Sequence, residues 1–466
     1  MWGAGDTRER AFDVRERLAL LAAALASLVV ELDWLAVNVA IPGIAHDLQR
    51  SPTDLQWLIS AFTLAFGGVM PVAGWVVDAF GRRRTTVYAL VLFMVGSLIC
   101  AFADSLALLI AGRALQGLAG GFVVPGAVAM TVGGFTGRRR DIGLGVVMAT
   151  ASSAAALAPF VGGLFVHLFG WRSVFFMTVP VGLASVVLIY HFVVPSSNPM
   201  ATARRPPVLN GACIMGGAVA LTVAADRGST WGWTSLATFL CVACGVWLLA
   251  GFVWLESRES SAMFSRNLYQ DRRLHILTLS GATSVIGFVM LSTLAMWYLQ
   301  AGRGLSAFLT GSLLLCFSLP NAAATYVAGR LVARRGSHVL LSAALAAAAI
   351  GLVATTTVPF PGPYALALAV CGIGVGLSGG LTNILIQQRS SAEEAGAVAS
   401  VTTAFKYLGA AVATALAATA LETLHHSVGG SAADASGIDT VLRITAILPA
   451  AAVLLTAPAA LARPRR

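Results

Sequence analysis

The sequence predicts an all-α integral membrane protein. It reads as fourteen transmembrane helices, in two six-helix pseudo-symmetric bundles plus two inserted helices. Three observations lead there. Of the 466 residues, 58% are apolar and only 11% are charged, against about 25% charged in a soluble protein. The mean hydropathy is +0.82, so the chain has too little polar surface to cover itself in water. The apolar residues also come in long unbroken runs, whereas the strands of a membrane barrel alternate over about ten residues. Finally, the arginines sort to one side once the runs are laid end to end as spans.

The first run begins near Leu18 and reaches Pro42, long enough for a bilayer that needs roughly 20 residues. Residues 1–17 carry both charge signs and the run lacks a small-residue cleavage site, so it reads as a first span rather than a removed leader. Spans then follow at about 54–77, 85–103, 106–133, 141–169, 172–194, 209–225, 234–255, 274–299, 306–332, 338–358, 363–387, 395–421 and 441–461. With the N-terminus inside, 23 of the 30 basic residues fall in cytoplasmic segments, among them Arg82, Arg83, Arg84 and Arg138, Arg139, Arg140. Only Arg50, Arg172, Arg227 and Arg303 fall outside. A one-helix error before the middle would scramble that bias, so the expectation is a multi-pass protein of the cytoplasmic (inner) membrane with both termini cytoplasmic.

A repeat supports the two halves. Ala73-Gly74-Trp75-Val76-Val77-Asp78-Ala79-Phe80-Gly81-Arg82-Arg83 recurs as Ala328-Gly329-Arg330-Leu331-Val332-Ala333-Arg334-Arg335-Gly336. The copies end spans two and ten, eight spans apart, as in secondary transporters built from internal repeats. The expected division is 1–194 for the first bundle, 195–273 for a Pro/Arg linker and two extra helices, and 274–466 for the second bundle.

Several function classes drop out. The net charge of +10 is accounted for by the positive-inside pattern, so no nucleic-acid partner is expected. The six cysteines lie in apolar runs and imply no disulfide framework; Cys241 and Cys244 form a CxxC without a nearby histidine or carboxylate, so no metal is expected. There is no GxxxxGK[ST] loop and no nucleophile–base–metal constellation, which leaves no enzyme and no cofactor.

The chemistry is carried by charges inside spans. Glu31 and Asp33 sit deep in the first run, each at a cost of about 2.5–3.5 kcal/mol at a bilayer centre, so each is a functional candidate. Two residues apart on a helix, they point about 200° from each other and cannot act as one dyad; Glu31 shares a face with Asn38. Arg113 lies seven residues into the fourth span and Asp33 nine residues from Pro42, both roughly 10–13 Å down at 1.5 Å per residue. The matching depths admit an Asp33–Arg113 coupling, in which the arginine favours the charged carboxylate and burial the neutral one.

The motifs resemble the major facilitator superfamily, specifically its fourteen-helix drug:proton antiporter branch. Gly74-x-x-x-Asp78-x-x-Gly81-Arg82-Arg83-Arg84 is similar to the loop signature between helices two and three. Leu109 to Gly117, with Arg113, resembles the helix-four motif. Ala158-Pro159-Phe160-Val161-Gly162-Gly163, followed by Trp171-Arg172, resembles the helix-five motif of exporters, with Ala158 in place of the usual glycine. Leu32-Asp33 with Asn38-Val39-Ala40-Ile41-Pro42 resembles the helix-one motif, with Trp34 where a smaller residue is usual. Lys406-Tyr407-Leu408-Gly409 resembles a late basic motif.

The resemblance implies a proton-coupled antiporter that exports lipophilic or cationic drugs or antibiotics by alternating access. Asp33 and Arg113 would be the proton-coupling centre, with Glu31 and Lys406 as further members. Trp34, Asn38, Phe62, Met148, Trp297 and Tyr298 would line the substrate cavity; Gly74, Asp78, Gly81, Arg82 and Arg83 would form the cytoplasmic gate; Pro159, Gly162 and Gly163 would form the exporter motif. The expected partners are a small lipophilic substrate, protons and the bilayer, with the chain acting as a monomer. Two rivals share the fold: a transporter of a specific metabolite, and a non-transporting sensor.

Overall fold

The computed structural model describes residues 12–50, 52–135, 137–195, 208–258, 272–332, 337–388, 402–413, 415 and 443–453 except 446 and 448. Among these the regular structure is helical. The helices are α1 (Val14–Leu48), α2 (Pro52–Phe80), α3 (Arg82–Ala101), α4 (Leu106–Gly134) and α5 (Gly137–Phe169). There follow α6 (Ser173–Phe176), α7 (Thr178–Phe192), α8 (Val208–Trp231), α9 (Leu236–Arg258), α10 (Arg272–Trp297) with a π-helical turn at Tyr298–Gly302, α11 (Ala307–Val332), α12 (Ser337–Ala354) and α13 (Gly362–Gln387). Residues 402–413 form one more helix. Among the described residues nine helices are long and apolar enough to cross a membrane. The expected spans coincide with these helices up to residue 387; the last two, 395–421 and 441–461, fall mostly outside the described residues. The predicted span 172–194 is broken at Met177 into α6 and α7.

Local rules explain the ends. Asp13 caps α1 in a reciprocal capping box with Glu16. Ser105 caps α4 by accepting from the Leu108 amide. Gly81, which ends the first copy of the repeat, has φ +98°, a left-handed geometry that turns α2 sharply into α3.

Glycines then let helices touch. A Cβ on Gly117 would overlap the Phe62 carbonyl oxygen, and one on Gly121 would overlap Val69, so α4 lies directly on α2. Gly372, Gly376 and Gly380 bring α13 onto α11 in the same way, at Phe317, Asn321 and Thr325. This is the small-xxx-small packing expected when lipid supplies no hydrophobic drive between helices.

Two packed groups result. One apolar core joins α1–α5 and α7; others join α10–α13 with the 402–413 helix. Helices α8 and α9 cross at Gly217 and Gly245, and α8 rests on α2 through Gly211 against Val72 and Gly68 against Met215. The two groups meet along a seam. At its far end, opposite the arginine-rich Gly81 and Arg139 end, Gly163 of α5 meets the Ala307 carbonyl and Gly311 of α11 overlies the Pro159 carbonyl. Phe160 and Phe308 pack at 5.6 Å, and Ser318 Oγ donates to the Ala156 carbonyl at 2.5 Å. Toward the arginine-rich end the same helices carry exposed Val146, Met148, Leu319 and Tyr326. The seam is therefore packed from the far end to mid-depth.

Candidate functional site

The face of α1 that bears Asp33 looks into the first group. Asp33 and Arg113 are both fully buried and form an ion pair through Arg113 Nη1 and Asp33 Oδ2. Gln116, one turn beyond Arg113, closes the ring: its Nε2 donates to Asp33 Oδ1 at 2.8 Å and its Oε1 accepts from Arg113 Nη1 at 2.9 Å. Arg113 Nε donates to the Leu58 carbonyl at 3.0 Å, and its guanidinium lies 4.3 Å from the centre of the Phe62 ring. The cation is thus neutralised by a carboxylate and fixed by α1, α2 and α4 together. The polar chain continues: Gln116 Nε2 donates to Ser97 Oγ at 2.9 Å, and Thr178 Oγ1 lies 3.1 Å from Ser97 Oγ. Among the described residues Arg113 Nη2 has no hydrogen-bond partner and faces the aromatic side of its pocket.

The opposite face of α1 looks into the seam. Glu31 is half-buried, lies within electrostatic range of Tyr407, and makes no hydrogen bond to a described residue. Trp34 is 7% exposed and meets the Tyr407 ring at 5.1 Å and the Phe288 ring at 6.4 Å. Tyr407 also meets Phe66 at 5.0 Å, and Phe288 meets Phe317 at 5.4 Å. A continuous aromatic layer from α1 and α2 to α10, α11 and the 402–413 helix therefore crosses the seam at mid-depth. Lys406, next to Tyr407 in sequence, turns into the second group. It is 4% exposed, and its Nζ donates to Asn383 Oδ1 at 2.6 Å.

These helices carry a family signature along most of their length. The profile of the Major Facilitator Superfamily matches residues 23–414. The chain belongs to the major facilitator superfamily. Members of this superfamily are membrane transporters rather than enzymes. Among curated relatives, the multidrug resistance protein Stp of Mycobacterium tuberculosis (strain CDC 1551 / Oshkosh) is 32% identical over 340 residues, 72% of this chain and 62% of Stp. The tetracenomycin C resistance and export protein of Streptomyces glaucescens is 30% identical over 321 residues, 68% of this chain and 59% of that protein. The puromycin resistance protein pur8 of Streptomyces alboniger is 32% identical over 343 residues, 73% of this chain and 67% of pur8. The match to Stp and to the tetracenomycin protein thus spans about three fifths of their lengths.

On this superfamily frame the structure brings some of the remaining candidates together and separates others. Asp33 and Arg113 are in contact, as their matching depths admit. Lys406 pairs with the neutral Asn383 instead of an acid of the first half. Phe62 is enclosed beneath Arg113 and is not open to a cavity. Asn38 is buried, with Oδ1 unpartnered among the described residues. Met148 is 45% exposed on the splayed half of α5. Tyr298 sits in the π-helical turn at the far end, where its hydroxyl accepts from Arg303 Nη2 at 2.6 Å, away from the mid-depth aromatic layer. The side chains of Trp297 and Asp78 lie outside the described residues.

In the gate segment, the Arg82 guanidinium packs over Gly133 of α4, and Arg83 reaches α7, donating to the Tyr190 carbonyl at 2.5 Å and stacking over its ring. Gly74 is half-buried on α2. Gly162 packs on Ala36 of α1 inside the first group, while Pro159 and Gly163 pack on α11, so of the exporter motif Pro159 and Gly163 stand at the seam. Cys241 and Cys244 are free thiols.

Sequence reasoning gave no role to Gln116, Ser97, Thr178, Tyr407 or Asn383. Gln116 was findable, because three residues after Arg113 it must share that face. Tyr407 and Asn383 act only through neighbours distant in sequence.

Proposed function

We propose that this chain is a proton-coupled antiporter of the fourteen-helix drug-exporter branch. It moves lipophilic or cationic drugs outward across the cytoplasmic membrane by alternating access. The relatives, a multidrug resistance protein, a tetracenomycin C resistance and export protein and a puromycin resistance protein, support that assignment. With the arginine-rich end and both termini cytoplasmic by the positive-inside rule, the packed far end gives an inward-facing state. The observation that carries the coupling is the Asp33–Arg113–Gln116 ring, a carboxylate and a guanidinium buried together in the helices of a transporter.

In this state Asp33 is sealed from the seam, and the ion pair ties α1 to α4. A proton placed on Asp33 cancels the carboxylate and leaves the guanidinium without its counter-charge. The two protonation states therefore favour different α1–α4 arrangements, and a ligand or proton shifts a conformational equilibrium only through such a difference. Glu31, on the seam face, meets the substrate. Two helical groups rocking about the mid-depth aromatic layer would break the Gly163–Ala307 and Gly311–Pro159 contacts and open the far end as the arginine-rich end closes. Arg82 and Arg83 bind their own group in the inward-facing state, so a cross-seam latch would form only when the cytoplasmic end closes.

The test uses inverted membrane vesicles with an imposed pH gradient and a panel of lipophilic cations. Addition of a substrate should dissipate the gradient, and Asp33→Asn should abolish gradient-driven movement. Failure of every compound to move or to dissipate the gradient sinks antiport; full gradient-driven transport by Asp33→Asn removes Asp33 from its role.

A further inference from the structure

Four charged side chains sit at mid-depth among the described helices: Glu31, Asp33, Arg113 and Lys406. Asp33 and Arg113 cancel each other. The other two have no counter-charge among the described residues: Glu31 lies on α1 one turn before Trp34, and Lys406 adjoins Tyr407, whose ring meets Trp34 at 5.1 Å.

The surroundings of Lys406 are specific. It is 4% exposed, and of its three N–H donors one has an acceptor, the side-chain carbonyl of Asn383 at 2.6 Å. The lysine stem lies on the bare face of Gly281 of α10, where a Cβ would come 2.5 Å from Cε and 2.9 Å from Nζ. Gly281 therefore leaves room for the ammonium, and any side chain there would displace it. Thr382 Oγ1 borders the same spot, and it bonds back to carbonyls of its own helix. Asn383, by contrast, is exposed. Among the described residues the structure thus holds a buried cation with two donors that find no acceptor, a neutral partner, and an exposed polar side chain beside it. A buried charge without a counter-charge costs several kcal/mol unless something else compensates it. An anionic oxygen of a ligand supplies that compensation.

We infer that Lys406, held by Asn383 against Gly281, is the anion-recognising end of a substrate site whose cation-recognising end is Glu31. The Trp34–Tyr407 contact joins the two ends. The substrate class then includes compounds with an acidic oxygen at one end and a basic nitrogen at the other, joined by an aromatic body. This rests on the export reading, and it gives Lys406 a recognition role in place of a proton-carrying one.

The test is binding to the purified full-length chain in detergent, read by fluorescence polarisation with two dyes. Rhodamine B carries a cationic xanthylium ring and a free carboxylate. Rhodamine 6G carries a similar cationic ring with its carboxyl group esterified. Lys406→Met should weaken rhodamine B at least tenfold and leave rhodamine 6G within twofold. Lys406→Arg should restore most of the rhodamine B affinity, and Glu31→Gln should weaken both dyes. Equal weakening of both dyes by Lys406→Met, or weakening of neither, overturns the proposal.

Should Lys406→Met fail to fold, the wild-type protein still decides. Rhodamine B should bind several-fold more tightly than rhodamine 6G, and the reverse order overturns the proposal. The readout is binding, so the two readings fail separately. A chain that discriminates the dyes as stated but moves neither in vesicles keeps the subsite and loses the export reading.

Discussion

Arg113 and Lys406 are both cations buried to a few per cent exposure or less, and they live in opposite circumstances. Arg113 in the first helical group has a carboxylate, a glutamine, a backbone carbonyl and an aromatic face around it. Among the described residues Lys406 in the second group has one amide oxygen and a bare glycine. A fully satisfied polar cluster in a low-dielectric interior is rigid and specific, and removing one member strands the rest. A cation with spare donors holds its position loosely and has charge left for a ligand. On the proposed reading structure and recognition are divided between the two groups, and variants can separate them.

The largest effect belongs to Arg113. Arg113→Met leaves Asp33 buried beside Gln116 without a counter-charge, a loss of about 3–5 kcal/mol for a broken buried pair. The apparent melting temperature in detergent should fall steeply, and transport should vanish with it. A variant as heat-stable as the wild type would mean that Asp33 finds water in this state, contrary to its complete burial.

Next comes the seam. Gly311 lies so close to the Pro159 carbonyl that Gly311→Leu must push α11 off α5 at the packed end. Overpacking of this kind costs about 1–3 kcal/mol, here against the arrangement with the packed far end. Cysteines placed at Phe160 and Phe308, whose rings are 5.6 Å apart, should cross-link less in the Gly311→Leu background. Unchanged cross-linking would show that the far-end contact does not hold the seam.

Gln116 tests whether the ring or the bare ion pair sets the geometry. Gln116→Leu removes the donor to Asp33 Oδ1 and to Ser97 Oγ and the acceptor from Arg113. Leaving buried polar atoms unmatched costs about 1–3 kcal/mol, so the melting temperature should fall by less than for Arg113→Met. The pH profile of transport should also shift, because the carboxylate loses one of its two donors. An unmoved profile would confine Gln116 to packing.

How much of this was legible in the sequence depends on the range of the interaction. Hydropathy runs located the helices through residue 387 because each run is a local property, and the four-residue spacing of Gly117/Gly121 and Gly372/Gly376/Gly380 is visible in the chain and sits at real helix contacts. The Asp33–Arg113 contact was legible because depth in a bilayer can be counted from helix ends, so two residues 80 apart can be compared. The split faces of Glu31 and Asp33 follow from 3.6 residues per turn alone.

What was not legible is which face meets which neighbour. Phe62 reads as a cavity aromatic but serves Arg113. Tyr298 reads the same way but sits with Arg303 at the far end. Ser97 and Thr178 look like ordinary mid-helix hydroxyls until α3 and α7 are placed side by side. The break at Met177 was hidden because both flanking pieces are apolar.

The smallest expected effect is the sharpest for the comparison. Lys406→Met removes a buried ammonium whose partner in the structure is a neutral, exposed amide. Asn383 can turn to water once the lysine is gone, so nothing buried is stranded. Methionine is unbranched and flexible and can lie along the same path over Gly281. Replacing a buried charge by an apolar side chain of similar volume is often neutral or stabilising. The stability in detergent should therefore stay within about 1 kcal/mol of the wild type, with the melting temperature unchanged or raised, while that of Arg113→Met falls. A steep fall for Lys406→Met would mean that the ammonium is as firmly compensated as the guanidinium, and the division between a structural cation and a recognition cation would collapse.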